Sequence, residues 1–96
     1  MTDTPAARLN AHANRFEIET PQGKAVLTFA ISGNTMDLQH TSVPPAQQGG
    51  GYGSALAESA LAYARQNQLK VIPTCEFVRA FMESHAEYDE LRGGAT

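Results

Sequence analysis

Residues 43–54 read Val-Pro-Pro-Ala-Gln-Gln-Gly-Gly-Gly-Tyr-Gly-Ser, and no other segment constrains the fold as much. A strand-like run enters it and a strong helical run leaves it. Glycine stands at 49, 50, 51 and 53, where the missing Cβ lets a ligand come close to the backbone. A glycine-rich turn at a helix start also aims N–H groups and the positive end of the helix dipole at one point, which suits a phosphate. The segment predicts a strand–loop–helix unit with a ligand at the loop. Its plain alternative is a flexible surface loop.

The flanks support the first reading. Residues 15–20 alternate, with Phe16 and Ile18 on one face and Arg15, Glu17 and Glu19 on the other, the pattern of a half-buried strand. Pro21-Gln22-Gly23 reads as a turn. Residues 24–32 (KAVLTFAIS) predict a second, more buried strand, and Gly33-Asn34 a second turn. Residues 35–43 alternate again, which places Met36, Leu38 and His40 together against Asp37, Gln39 and Thr41. Tight turns join these three strands into an antiparallel meander.

Residues 54–68 form the strongest helical pattern, with Leu56, Ala60, Tyr63 and Ala64 on one face and Ala57 and Leu61 beside them. Residues 70–75 predict a short fourth strand. Pro73 donates no ladder hydrogen bond, so the strand is an edge or splays there. Residues 76–84 predict a second helix with Phe77, Ala80 and Phe81 inward, and a short turn or helix follows to Leu91. The order is β-β-β-α-β-α, an α+β (α/β layered) fold. A helical connection makes the last two strands parallel and puts the glycine loop at the ligand edge. Residues 1–14 read as a flexible arm, 15–91 as one domain and 92–96 as a tail.

The bulk numbers narrow the function. Net charge is −3 and the seven Lys and Arg residues are scattered, which argues against nucleic acid. No apolar run is long enough for a membrane span, and the N-terminal residues lack a secretory pattern. The single cysteine, Cys75, forms no internal disulfide. These readings predict a cytoplasmic protein, a monomer or weak homodimer. His12, His40 and His85 have no metal-ligand spacing, so no metal is expected.

The loop chemistry is specific. A phosphate-binding loop of the nucleotide triphosphatase type needs Gly-Lys-Ser/Thr, and Gly53 is followed by Ser54 with no lysine. A dinucleotide fingerprint fits poorly, and three antiparallel strands before the loop are wrong for that fold. The remaining pattern is Gln/Arg-x-x-Gly-x-Gly/Ala, and Gln48-Gly49-Gly50-Gly51-Tyr52-Gly53 matches it at every defined position.

With this loop, the segments 37–44, 55–61 and 73–78, and His85-Ala86-Glu87-Tyr88, the chain resembles the GNAT N-acetyltransferase superfamily, in particular its short single-domain (YjdJ-type) branch. The resemblance implies a minimal GNAT-like fold and acetyl-CoA as cosubstrate. It implies that the backbone of Thr41, Ser42 and Val43 pairs with the pantetheine arm. It also implies that Gln48, Gly49, Gly50, Gly51, Tyr52, Gly53 and Ser54 hold the pyrophosphate. The branch commonly has arginine where this chain has Gln48 and Gly50. A charged contact to phosphate is about twice as strong as a neutral one, so binding rests on backbone N–H groups and the helix dipole. The implied activity is acetyl transfer to an amine of unknown identity. The alternative is a coenzyme A-binding sensor or interaction module with little catalysis.

Two residues are candidates for chemistry. Cys75 precedes a helix, whose dipole favours a thiolate. It reads as a nucleophile, an acetyl acceptor or a wall of the site, against the alternative of a small buried hydrophobe. His40, on the side assigned to Met36 and Leu38, reads as a hydrogen-bonded core histidine or as a general base that activates an amine or Cys75. Direct transfer to an amine needs no acyl-enzyme. Tyr88 as a proton donor to the leaving thiolate, and Arg79 as a phosphate contact, are lesser candidates.

Overall fold

The computed structural model describes residues 7–93. Five strands form one sheet in the order β1-β2-β3-β4-β5. They are β1 (Arg8–Asn10), β2 (Arg15–Thr20), β3 (Gly23–Ser32), β4 (Thr35–Ser42) and β5 (Lys70–Ile72). The first four are an antiparallel meander, and β5 lies parallel to β4. Helix α1 (Tyr52–Gln66) makes the crossover between β4 and β5, and α2 (Glu76–Glu83) follows β5. A 3-10 turn at Pro45–Gln47 leads into the glycine loop, and a 3-10 segment at Ala86–Leu91 closes the fold.

Alternation builds the core. Phe16, Ile18, Ala25, Leu27, Phe29, Met36 and Leu38 all point to the face that α1 covers. From α1 come Leu56, Ala57, Ala60, Leu61 and Ala64, each fully buried. Its three buried alanines add almost no bulk, so the helix lies close on the sheet. Phe16 anchors one end of the layer, its ring 5.4 Å from Phe29 and 5.8 Å edge-on from Tyr63.

Several expectations change. Arg8–Asn10, read as part of a flexible arm, is a strand that pairs with Arg15–Glu17; residues 1–6 of that arm lie outside the described residues. Helix α1 starts two residues earlier than its periodicity indicates, because Gly51 takes the N-cap position. Strand β5 stops at Ile72, one residue before Pro73, and its last pair is with Asp37. The chain then turns, and the Cys75 N–H donates to the Leu38 carbonyl at 2.8 Å. This bond fixes the rotation of α2. Val78, Phe81 and Met82 face inward, while Phe77 and Ala80, expected inside, face out. At the C-terminal end Arg92 bridges to Val71, and the Gly93 N–H bonds the Val71 carbonyl at 3.0 Å. Residues 92 and 93 therefore cover the outer edge of β5; 94–96 lie outside the described residues.

Strand β4 carries the change that matters most. Thr28 pairs with His40 and Phe29 with Leu38, so Gln39 is one extra residue on β4. This is a β-bulge, and it inverts the alternation beyond it. Thr41 now pairs with the buried Leu27 and faces the helices. His40 pairs with Thr28 and is exposed on the other face. The expected grouping of His40 with Met36 and Leu38 is therefore corrected.

Candidate functional site

The site is built where β4 loses its neighbour. Residues 35–37 pair with β5, and the Leu38 carbonyl takes the Cys75 amide. Past that point β5 has ended at Ile72, and the outer edge of β4 opens. An open cleft of about 300 Å³ begins there. It is lined by Thr41 and Val43 from β4 and its exit, Gln47, Gln48 and Gly49 from the loop, Tyr52 and Gly53 from α1, and Phe77 from α2.

The loop takes a shape that only glycine adopts easily. Gly49 has φ 88° and Gly51 φ 89°, both left-handed. A Cβ at Gly50 would stand 3.2 Å from the Gln47 carbonyl, and one at Gly53 only 2.8 Å from the Phe77 ring. Gly51 caps α1 without a side-chain hydrogen bond. Ala55 is the first helical residue whose N–H finds a partner, the Gly51 carbonyl at 3.0 Å. The amides of Tyr52, Gly53 and Ser54 are left without backbone or capping acceptors. Three donors at the positive end of a 15-residue helix suit an anion. No charged side chain lines the cleft. The Gln48 side chain is spent on the loop itself, with Nε2 donating to the Val43 carbonyl at 3.2 Å.

Next to Thr41, but not among the residues that line the cleft, Cys75 is the N-cap residue of α2 and is buried. Its Sγ lies 3.3 Å from the Thr41 hydroxyl. Burial pushes the thiol pKa up. The Thr41 hydroxyl and the backbone N–H groups of Val78 and Phe77 pull it down, and the net direction is down. The thiol is thus held by a hydroxyl from the strand and by the amides that open a helix.

The structure brings some of the expected residues together and separates others. Thr41, Val43, Gln48, Gly49, Tyr52 and Gly53 line one cleft. Ser42 pairs with Val26 and is exposed, away from it. Gly50 and Gly51 shape the loop from behind, and Ser54 opens onto a neighbouring groove. The Cys75–His40 pair is not assembled, because the bulge turns His40 to the opposite face while Cys75 meets Thr41. Tyr88 is buried under the Arg65 guanidinium at 5.2 Å, and burial raises its pKa. Arg79 pairs with Glu76 and borders a separate hollow with Pro73 and Arg92. Sequence reasoning missed Gln47 and Phe77 as lining residues. For Phe77 a signal existed: it is the second residue after Cys75, at the start of a helix that faces the glycine loop.

Comparison with known proteins agrees with this geometry. Residues 15–91 match the model of the GCN5-related N-acetyl-transferase family. Protein NATD1 of Danio rerio is 37% identical over 70 residues, which cover 70% of this chain and 64% of that protein. Protein NATD1 of Homo sapiens is 35% identical over 63 residues, 65% of this chain and 56% of its own length. The chain thus spans less than two thirds of these curated relatives. The solution structure of a GCN5-like protein from Staphylococcus aureus superposes with a TM-score of 0.70 at 24% identity, over 99% of this chain and 94% of that one, and shares the fold. On the family match over strands β2 to β5 and both helices, the chain belongs to the GCN5-related N-acetyltransferases.

Proposed function

We propose that this protein binds acetyl-CoA in the cleft beside β4 and transfers the acetyl group to an amine. The observation that carries the reading is the set of unspent amides at Tyr52, Gly53 and Ser54, at the mouth of a cleft that runs along an unpaired strand edge. The residues fit such a substrate. The amides and helix dipole suit a pyrophosphate, the free backbone edge of residues 41–43 suits an amide-bearing arm, and the cleft walls of Val43, Tyr52 and Phe77 suit its apolar parts. When bound, the thioester would supply the acetyl group: its C–S bond breaks as the amine C–N bond forms, the electron pair leaves on the coenzyme A sulfur, and the proton lost by the amine ends on that thiolate, giving free coenzyme A. Thr41 lines the cleft and its hydroxyl touches Cys75, so the thiol stands beside the path, as a wall behind Thr41 or as an acceptor of the acetyl group.

A second reading is favoured by one observation: no imidazole or carboxylate lines the cleft. A coenzyme A-binding module with little catalysis needs none. Thermal melts with acetyl-CoA and with NAD test the shared part of the two readings. Stabilisation by acetyl-CoA alone is expected, and equal stabilisation by NAD or none by either would sink both. Intact mass after incubation with acetyl-CoA, together with turnover on a panel of amines, then separates them. An acetyl adduct lost in Cys75→Ala, or any acetylated amine, supports the transferase. Neither supports the binding module.

A further inference from the structure

Helix α2 has a second side. Arg79 stands two residues after Phe77, about 200° around the helix, so it points away from the cleft. There it borders an open hollow of about 370 Å³ with Ile72, Pro73, Arg92 and Gly93. The hollow lies at the outer edge of the sheet, where β5 ends. The bridge from Arg92 to Val71 and the Gly93 N–H on the Val71 carbonyl hold the C-terminal segment against that edge. On the other wall, the Arg79 N–H donates to the Cys75 carbonyl at 3.0 Å. Two separate elements thus bring two arginines to one place.

These two guanidinium groups are the least engaged of those around them. Arg15 and Lys24 pair with Glu17, Arg65 pairs with Glu90, and Lys70 donates to the Glu90 carbonyl. Arg79 meets Glu76 at 3.8 Å, an exposed pair too long for a hydrogen bond. Among the described residues, the Arg92 guanidinium makes no ion pair. Two like charges on one hollow repel each other, and an anion between them replaces that repulsion with attraction. The guanidinium fork matches a carboxylate. The floor is Ile72 and Pro73, both half-buried, and it suits an apolar stem. With one arginine unpaired and the other weakly paired, the charge on offer matches a single carboxylate.

We infer that this hollow binds a carboxylate carried on a short apolar stem, with the acid between Arg79 and Arg92 and the stem on Ile72 and Pro73. The site stands across α2 from the cleft and does not rest on the coenzyme A reading. Two sources present this group: a small aliphatic acid, and a peptide whose last residue is apolar.

Titration of the isotope-labelled full chain, followed by its amide chemical shifts, tests this. The probes are 4-methylpentanoate, a pentapeptide ending in leucine with a free carboxylate, and the amide of each. Saturable shifts at Arg79, Arg92 and Gly93 are expected from one or both acids and from neither amide, and the tighter acid names the source. Arg79→Gln and Arg92→Gln, both at exposed positions, are each expected to weaken the acid about tenfold. Arg92→Lys, which keeps the charge and loses the fork, should fall between native and Arg92→Gln. No shift from either acid overturns the site, as does an equal shift from the amides. Binding at native strength by the double variant, Arg79→Gln with Arg92→Gln, overturns it too.

Discussion

Thr41 has two jobs that meet on one side chain. Its backbone belongs to the open strand edge, and its hydroxyl reaches Cys75. Thr41→Val removes a donor to the thiolate and keeps the shape. The alkylation rate of Cys75 against pH should then move to higher pH, and Thr41→Ser should restore it. An unchanged profile would mean that the helix amides alone set the thiol. Glu17 is a second residue with a measurable signature. Hydrogen bonds from Arg15 and Asn10, with help from Lys24, hold its carboxyl at about 2, well below the ordinary 4.5. A depressed carboxylate stabilises the fold above its unfolded pKa, and that contribution is lost as pH falls through the folded one. The melting temperature should therefore fall between pH 4.5 and about 2 in the native chain. In Glu17→Gln this part of the slope should disappear.

Among the elements, the strands and the helix after the loop were readable because their periods are clean. Phe16 and Ile18, Leu56 and Ala60 fall where their spacing puts them. Two features were not readable. Gln39 gives no local sign of being an extra residue, since period two continues on paper through His40; only pairing with β3 reveals it. The rotation of α2 was hidden as well. Phe77-Phe81 and Val78-Met82 are equally good helical pairs, and the structure buries Val78, Phe81 and Met82 while leaving Phe77 out. The loop was legible as a glycine-rich helix start beside a strand end, but the place of Phe77 in the cleft was not, because it was assigned to the core. The loop also yields a prediction. Gly51→Ala forces a Cβ into φ 89° at the α1 N-cap. It should cost about 1–2 kcal/mol, which a thermal melt reads as about 4–8 °C per kcal/mol in a domain of this size.

Across the whole molecule, one helix does most of the covering. Helix α1 touches β2, β3, β4 and β5, and also α2 and the C-terminal 3-10 segment. Leu61, at its centre, is fully buried. Leu61→Ala should cost about 2–5 kcal/mol, a large part of the ~5–15 kcal/mol that holds a domain this size together. Urea unfolding should show a lower midpoint with an unchanged slope. A loss under 1 kcal/mol would mean that the layer closes over the gap.

The inserted Gln39 divides one strand into two territories. Met36 and Leu38, ahead of it, answer to the interior, whereas Thr41 and Val43, beyond it, answer to whatever enters the cleft. Substitutions in the two halves are thus felt by different constituencies: the packed core registers the first and the open cleft the second.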